Sequence, residues 1–416
     1  MELIIEEHGK VFAKVHQARL ADLKRLLKTH SSREDAESLL ALADSLMVYS
    51  HSQALLKRSG PELLEWLQAF LEFLRQRDED VNVAYFVPPN SGSSFLLVNA
   101  PDVPYLVDSL KTILQHLPQR AMVISHPILN INRKDGVLTG IGERFADGQL
   151  ESFIIVQFEG VRDLDTASVE DEIRRVFQVA ETVGRQRKDL NQSLQKLALL
   201  DESQDQKDFT EWLLSGNFIC FGHASVEVLN LNGKTAKFKL LEEPLGWLPD
   251  TLLAQVDGSK GTPEFTKRAK KILTRKNPLI VEILQEISPI YQQDNLIYLG
   301  FRECCKSDRR VEHIYVGLFS QNSVNELASN VLPLKTKLLA ALNRQHVPSE
   351  SYDYRKVVEI FNTFPKVEMF FLSNQALDRL VQSFVSLQRQ QSVKLVVTRS
   401  LRLRGVTLFV IMPSHS

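Results

Sequence analysis

Apolar residues recur every three or four positions through the opening of the chain: Leu20, Leu23, Leu26 and Leu27, then Leu63, Leu64, Leu67, Phe70, Leu71, Phe73 and Leu74. That spacing keeps them on one helical face, so residues 10–77 are expected to be almost wholly helical. Pro61 suits a first turn, where a missing amide costs least, with Ser59 or Gly60 as the cap of the second main helix. Residues 1–78 are therefore expected to be a helical unit, a plain hairpin that covers something else.

At residue 81 the period changes to two. "VNVAYFVP" and "SSFLLVNA" are short and rich in apolar, aromatic and β-branched residues, as strands are. "PYLVDSLKTILQHL" returns to a helical period, with Leu106, Val107, Leu110, Ile113, Leu114 and Leu117 on one face. "AMVISHPILNINR" reads as a strand, "KDG" as a turn, "VLTGIG" as a short strand, and "ESFIIVQFEG" as a strand so apolar that both its faces can be covered. A helix capped at Thr166 or Ser168 closes the unit. The order is β, α, β, β, α with a spare strand in front, the order of a ferredoxin-like sandwich with helices on one face of an antiparallel sheet. Its expected span is 79–200.

The polar stretch "DESQDQKD" (201–208) reads as a hinge. A second α+β region, 201–350, comes next: a short helix stopped at Gly216 and Asn217, a strand, the turn "LNGK", the strand "AKFKLLEE", a basic excursion, the hairpin-like pair "NLIYLGFRE" and "EHIYVGLFS", and the helix "VLPLKTKLLAALNRQ". Residues 351–416 read as two connecting helices and two apolar strands, "SVKLVVTRS" and "GVTLFVIMP". Such strands need a partner along their edges, so these are expected to be the first strands of a further, incomplete unit.

Composition narrows the function. The chain has 416 residues, and its 50 Lys+Arg against 51 Asp+Glu leave a net charge of −1, so nothing global attracts nucleic acid or an anionic membrane. The basic clusters "RQRK" (185–188) and "KRAKK" (267–271) read as solvated helix faces. No apolar run approaches the ~20 residues of a membrane span. The start "MELIIEEHGK" lacks the form of a secretory signal, and a cytoplasmic location is expected. Three cysteines, two of them the adjacent pair Cys304 and Cys305, suit neither a metal site nor an ordinary disulfide.

Catalytic signatures are missing. "GIGE" (140–143) lacks the third glycine and the following helix of a dinucleotide loop, and reads as a hairpin turn. His126, before Pro127 in an apolar strand, reads as a packed histidine. The joint "NAPDVPYLVDSL" (99–110) is the most suggestive stretch. Asp102 is expected to accept hydrogen bonds from the amides at the helix start, with Pro104 in the first turn. The same amides and the helix dipole would welcome an amino-acid carboxylate there.

Asp102-Val103-Pro104-Tyr105-Leu106 resembles the Asp-x-Pro-Gly-hydrophobic loop of ACT domains, the amino-acid-sensing modules, with Tyr105 in place of the glycine. The resemblance implies effector binding at Asp102, Pro104 and Asp108, against which the tyrosine would fill space a ligand needs. A longer resemblance links "VPYLVDSL", "HPILNINRKDGVL", "ESFIIVQFEG", "FTEWLLSGNFICFGHASVEV", "EHIYVGLFS", "VLPLKTKLL" and "VVEIFNTFP" to the N-terminal half of the large NAD-specific bacterial glutamate dehydrogenases. Its motifs match Trp212, Leu213, Gly216, Asn217, Phe218, Gly317, Leu318, Pro333, Leu334 and Lys337. After "NTFP" the sequence departs to "KVEMFFL", keeping Glu368 and Phe370.

This resemblance implies a non-catalytic, ACT-containing region that serves assembly and regulation. The parent would convert glutamate to 2-oxoglutarate with NAD bound in distant domains, and no cofactor or metal is expected in this chain. Expected partners are a second copy through sheet edges or ACT interfaces, the downstream catalytic domains and a free amino acid. A free-standing amino-acid sensor or scaffold without enzyme activity is the alternative.

Overall fold

Ser59, rather than Gly60, caps the second main helix: its hydroxyl accepts from the Glu62 amide while the Glu62 carboxylate accepts from the Ser59 amide at 2.9 Å. This reciprocal pairing satisfies two amides that the helix cannot. The computed structural model describes residues 18, 20–27, 33–49, 59–77, 80–88, 93–117, 121–142, 148–159, 165–200, 204–230, 236–256, 279–303, 310–324, 326–363, 366–390, 394–399 and 406–411. Cys304, Cys305, the basic cluster at 267–271 and the "LNGK" turn lie outside them.

Helices α1 (Arg33–Tyr49) and α2 (Gly60–Arg75) share one core with a sheet. Leu42, Leu46, Trp66 and Phe70 pack in the same cluster as Phe95, Leu97, Phe153 and Ile155, with Trp66 edge-on to Phe95 at 4.8 Å and Phe70 to Phe153 at 5.9 Å. A one-sided helix must bury its apolar face, and here that burial joins the helical opening to the first sheet. The structure thus joins α1 and α2 to the core of the first sandwich.

That sandwich runs β1 (Asn82–Phe86), β2 (Ser93–Pro101), α3 (Leu106–Leu114), β3 (Ala121–Ser125), β4 (Ile128–Lys134), β5 (Val137–Ile141), β6 (Gln149–Glu159) and α4 (Thr166–Leu200). The sheet order is β1-β2-β6-β4-β5 with β3 also on β6, and every pair is antiparallel. The single strand expected from "AMVISHPILNINR" is two: it breaks at His126 and Pro127, which has no amide to donate to a ladder, and both halves run along β6. The spare strand β1 takes the outer position beside β2. Phe95, Leu97, Phe153 and Ile155 face the helical opening, yet the alternate residues Leu96, Val98, Ile154 and Val156 are buried as well. The central strands are therefore covered on both faces, as the apolar run "ESFIIVQFEG" led one to expect for β6, whereas the sandwich order alone placed helices on one face.

The second sheet is built from β7 (Phe218–Asn230), β8 (Ala236–Leu240), β9 (Leu245–Gly246), β10 (Leu279–Ile287), β11 (Asn295–Arg302) and β12 (Val311–Phe319), in the order β10-β11-β12-β7-β8 with β9 on β7. Strand β10 was not anticipated. It is an edge strand in which only Ile280 and Leu284 are buried, so its apolar alternation is weak. Around this sheet lie α5 (Gln204–Trp212), a π turn (Leu213–Asn217), α6 (Asp250–Val256), α7 (Leu332–Arg344), α8 (Tyr352–Thr363), the unanticipated short α9 (Lys366–Phe371) and α10 (Asn374–Gln390). Strands β13 (Lys394–Arg399) and β14 (Val406–Ile411) form a two-stranded ladder.

The fold is α+β with antiparallel sheets. The chain divides into two compact units, Met1–Gly184 with Pro289–Gln292, and Arg185–Ser288 with Gln293–Ser416. The division falls inside the continuous helix α4. Among the described residues no helix is long and apolar enough to cross a membrane.

Candidate functional site

In the first unit, the 99–110 joint is a packed corner. Tyr105, not Asp102, is the N-cap of α3; it adopts the left-handed conformation at φ 76°, and no side chain caps the helix. The capping role expected of Asp102 is overturned, because two residues separate it from that cap and its carboxylate is engaged elsewhere. It accepts a 2.7 Å hydrogen bond from the Ser152 hydroxyl, while its own amide donates to the Leu150 carbonyl at 3.0 Å.

The Ser152 oxygen lies 2.9 Å from His126 Nε2. A carboxylate only accepts, so Ser152 gives its proton to Asp102 and receives one from His126, which fixes the proton of that imidazole on Nε2. Burial lowers the His126 pKa, against the opposing pull of Asp102. Carboxylate, hydroxyl and imidazole thus stand in an order different from that of a catalytic triad, in which the imidazole lies between carboxylate and serine. His126 is the packed, hydrogen-bonded residue expected.

Pro104 is exposed and packs near α4, where a Cβ on Gly184 would come within 3.2 Å of the Pro104 Cδ and 3.1 Å of the Val103 Cβ. Asp108 pairs with Lys111 at 3.3 Å on the helix surface. Tyr105 meets Tyr291 edge-on, with ring centroids 5.8 Å apart. Ser109 ties the two segments together by donating to the Tyr105 carbonyl at 2.6 Å and accepting from the Tyr291 amide at 2.9 Å. Asp102, Pro104 and Asp108 therefore border one corner, but each is committed to a different neighbour, and two tyrosine rings occupy its helix side.

Beside it lies a buried ionic network. Glu151, 1% exposed, is held by Arg133 at 2.8 and 3.0 Å, by Asn99 at 2.9 Å and by Arg77 at 3.2 Å. Arg133 also donates to the carbonyls of Leu74 and Gly136, tying the end of α2 to the β4–β5 turn. Nothing in the sequence pointed to this network, since its four residues are far apart in the chain.

In the second unit, Gly216 and Asn217 shape the start of β7. Gly216 has φ 87°, a conformation glycine adopts without cost, and its carbonyl accepts from Ser320. The Asn217 side chain donates to the Trp212 carbonyl at 2.8 Å, satisfying an orphan acceptor at the end of α5. Lys337 donates to the carbonyls of Phe370 and Leu372, and burial lowers its pKa. Cys220 holds its thiol proton: burial pushes its pKa up to about 12.

The same unit contains a cluster that sequence reasoning passed over. His223 and Ser225 on β7 face His313 and Tyr315 on β12, in register as Tyr315–His223 and His313–Ser225. His223 stacks on Tyr315 at 4.4 Å and lies parallel to His313 at 5.8 Å. Ser225 Oγ is 3.1 Å from His313 Nδ1 and 3.4 Å from His223 Nε2. Burial, aided by His313, lowers the His223 pKa to about 4, and burial also lowers that of His313 against the pull of Glu303 at 3.7 Å. The signal was present as two polar pairs at period two, His-x-Ser and His-x-Tyr, inside otherwise apolar strands. Among the described residues no group of His, Cys, Asp and Glu is arranged to hold a metal ion.

Comparison with known proteins agrees with this architecture. Residues 42–173 match the ACT1 domain of glutamate dehydrogenase, and residues 333–390 match helical motif 1 of glutamate dehydrogenase. An NAD-specific glutamate dehydrogenase from Halomonas elongata is 20% identical over 410 residues, an alignment that covers 91% of this chain and 25% of that protein. The chain spans about a quarter of the length of that relative. Two matched segments in order, with an alignment over nearly all of the chain, relate it to the N-terminal region of the large NAD-specific glutamate dehydrogenases.

Proposed function

We propose that this chain is the regulatory and assembly region of a large, cytoplasmic NAD-dependent glutamate dehydrogenase, an oxidoreductase that converts glutamate to 2-oxoglutarate. The observation that carries the reading is the coincidence of the ACT1 match at 42–173 with a βαββα sandwich. NAD and the reacting groups belong, in this reading, to the remaining three quarters of the parent. The region acts by docking, against a second copy through a sheet edge and against the catalytic domains. An effector that bound one packing arrangement better than another would shift the activity of the parent, by no more than its differential affinity.

At the first joint, the engaged Asp102 and the Tyr105–Tyr291 pair favour a structural corner over a live amino-acid pocket. The test has three readouts on the purified chain: sedimentation for self-association, glutamate-dependent NAD reduction, and calorimetric titration with single amino acids. Concentration-dependent self-association without NAD reduction is the expected outcome. NAD reduction by the chain alone overturns the reading. Saturable amino-acid binding lost in Asp102→Ala reverses the assignment of the corner.

A further inference from the structure

Between β10 and β11 the chain forms a closed loop. Ser288, 2% exposed, donates its amide to the Asp294 carbonyl at 2.8 Å and so fastens the base. At the tip, the Gln292 amide reaches back to the Ile290 carbonyl at 2.9 Å around Tyr291, whose φ is 69°. A bond to the second residue back across a positive φ marks a γ-turn in its rare, strained form. Behind the loop, the span Ile283 to Ile287 of β10 faces the shorter span Ile297 to Asn295 of β11, so β10 bulges. The Asn295 side chain bridges the bulge by donating to the Leu284 and Gln285 carbonyls at 2.9 and 3.3 Å. A bulged arm with its carbonyls satisfied gives slack without breaking the strand.

Pro289–Gln292 belong to the first unit, although the strands on either side belong to the second. They dock on the start of α3. Ile290 is 1% exposed, the Tyr291 amide donates to the Ser109 hydroxyl at 2.9 Å, and the Tyr291 ring stands edge-on to Tyr105 at 5.8 Å. Each such contact is a modest gain. Strain opposes them: Tyr105 is itself left-handed at φ 76°, so two non-glycine residues in costly conformations press against each other. Strain of this kind persists only where the surroundings hold it, and it gathers in segments that switch. Undocking relieves it at Tyr291. It also leaves α3 whole, because the Ser109 hydroxyl and amide still reach the Tyr105 carbonyl at 2.6 and 2.9 Å.

We propose that residues 288–292 form a latch, a strained turn that docks on the start of α3 and releases from it as one piece while the sheets stay folded. Docked, it covers the helix side of the 99–110 corner; released, it uncovers Tyr105 and Ser109. An effector or docking partner that binds one of these states better populates that state. The latch serves the regulatory reading given above, yet its motion is measured in the chain alone, so the failure of one is distinct from the failure of the other.

Hydrogen exchange of the full chain, read by mass spectrometry, tests it. Amides of 288–292 are expected to exchange through a local opening insensitive to low denaturant, whereas those of β2 and β6 exchange through openings that denaturant promotes. Tyr291→Ala removes the ring contact and keeps the strained backbone, so exchange across 288–292 rises roughly tenfold while β2 and β6 are unchanged. Tyr291→Gly adopts φ 69° without strain and opens less than Tyr291→Ala, an ordering that an unstrained, merely structural contact would not give. Ser109→Ala removes the acceptor of the Tyr291 amide and also speeds exchange there, which keeps the test open if a Tyr291 variant does not fold. The proposal is overturned if 288–292 exchanges only together with the sheets, if the substitutions speed exchange in β2 and β6 as much as in the loop, or if Tyr291→Gly opens as much as Tyr291→Ala or more.

Discussion

Glu151 shows how much one residue can carry. It is a single carboxylate at 1% exposure with Arg133, Arg77 and Asn99 around it, and the arginine side chains are themselves only 11% and 12% exposed. The gain of such a pair over an apolar substitute is small, but removing one member strands the other charges in a poor solvent. Glu151→Ala is expected to cost about 3–5 kcal/mol of stability, read from denaturant midpoints. A loss below about 1 kcal/mol, typical of an exposed pair, would contradict this account.

His223 makes a pH prediction of definite sign. Its pKa falls from an ordinary 6.5 to about 4 through burial and the neighbouring His313. Above pH 6.5 both folded and unfolded forms are neutral there, so this group is without effect on stability. As pH falls, the unfolded chain takes up the proton first, and stability declines until about pH 4, where the folded state also protonates. The full decline is about 3 kcal/mol from this residue. Unfolding measured near neutrality and near pH 5 should show a smaller acid loss in His223→Gln than in the parent chain. His313, Tyr315 and Ser225 lie against this ring, Glu303 and Glu242 act on His313, and Asp189, Glu243 and Lys196 line the same cavity as His223 and His313, so the comparison isolates His223 only while these are unchanged.

At the scale of elements, the resemblance motifs turn out to be joints. Gly317 sits where β12 shifts register against β7, and a Cβ there would stand 2.0 Å from the Ile219 carbonyl oxygen and 2.8 Å from the Phe218 ring. Gly317→Ala must push backbone, not a flexible side-chain end, and is expected to lose about 1–3 kcal/mol. Thermal unfolding measures it, and wild-type stability would mean that the strands part without cost. Lys337 plays a comparable part by satisfying the carbonyls where α9 ends. Phe370 stacks on Phe319 at 4.7 Å, which explains why the "KVEMFFL" stretch keeps this aromatic although its neighbours depart from the family pattern.

Element types and their order were largely legible. Helices α1 to α3 and α7, and strands β1, β2, β6, β11 and β12, follow from spacing because a buried face imposes its period on the chain. Boundaries were less legible. One expected strand became β3 and β4, since a tertiary neighbour, β6, had to accept both sides of Pro127. Strand β10 and helix α9 were missed. The first buries only two of its side chains, and the second is a six-residue helix too short to show a period.

For the whole molecule, the chain divides into two compact units, with the boundary inside α4 and Pro289–Gln292 grouped with the first. The helical opening belongs to the first core because its leucines have the faces of β2 and β6 to cover. By itself the sequence determined the α+β class, the alternation of sheets and helices, the family resemblance and the near-neutral charge, all of which depend on residues close together or on sums. Only the tertiary structure decided that Asp102 serves Ser152 rather than a helix start, that Glu151 gathers two arginines, and that two histidines and a tyrosine line one cavity. Those facts rest on strand register and long-range packing, which bring together residues whose separation along the chain carries no local signal.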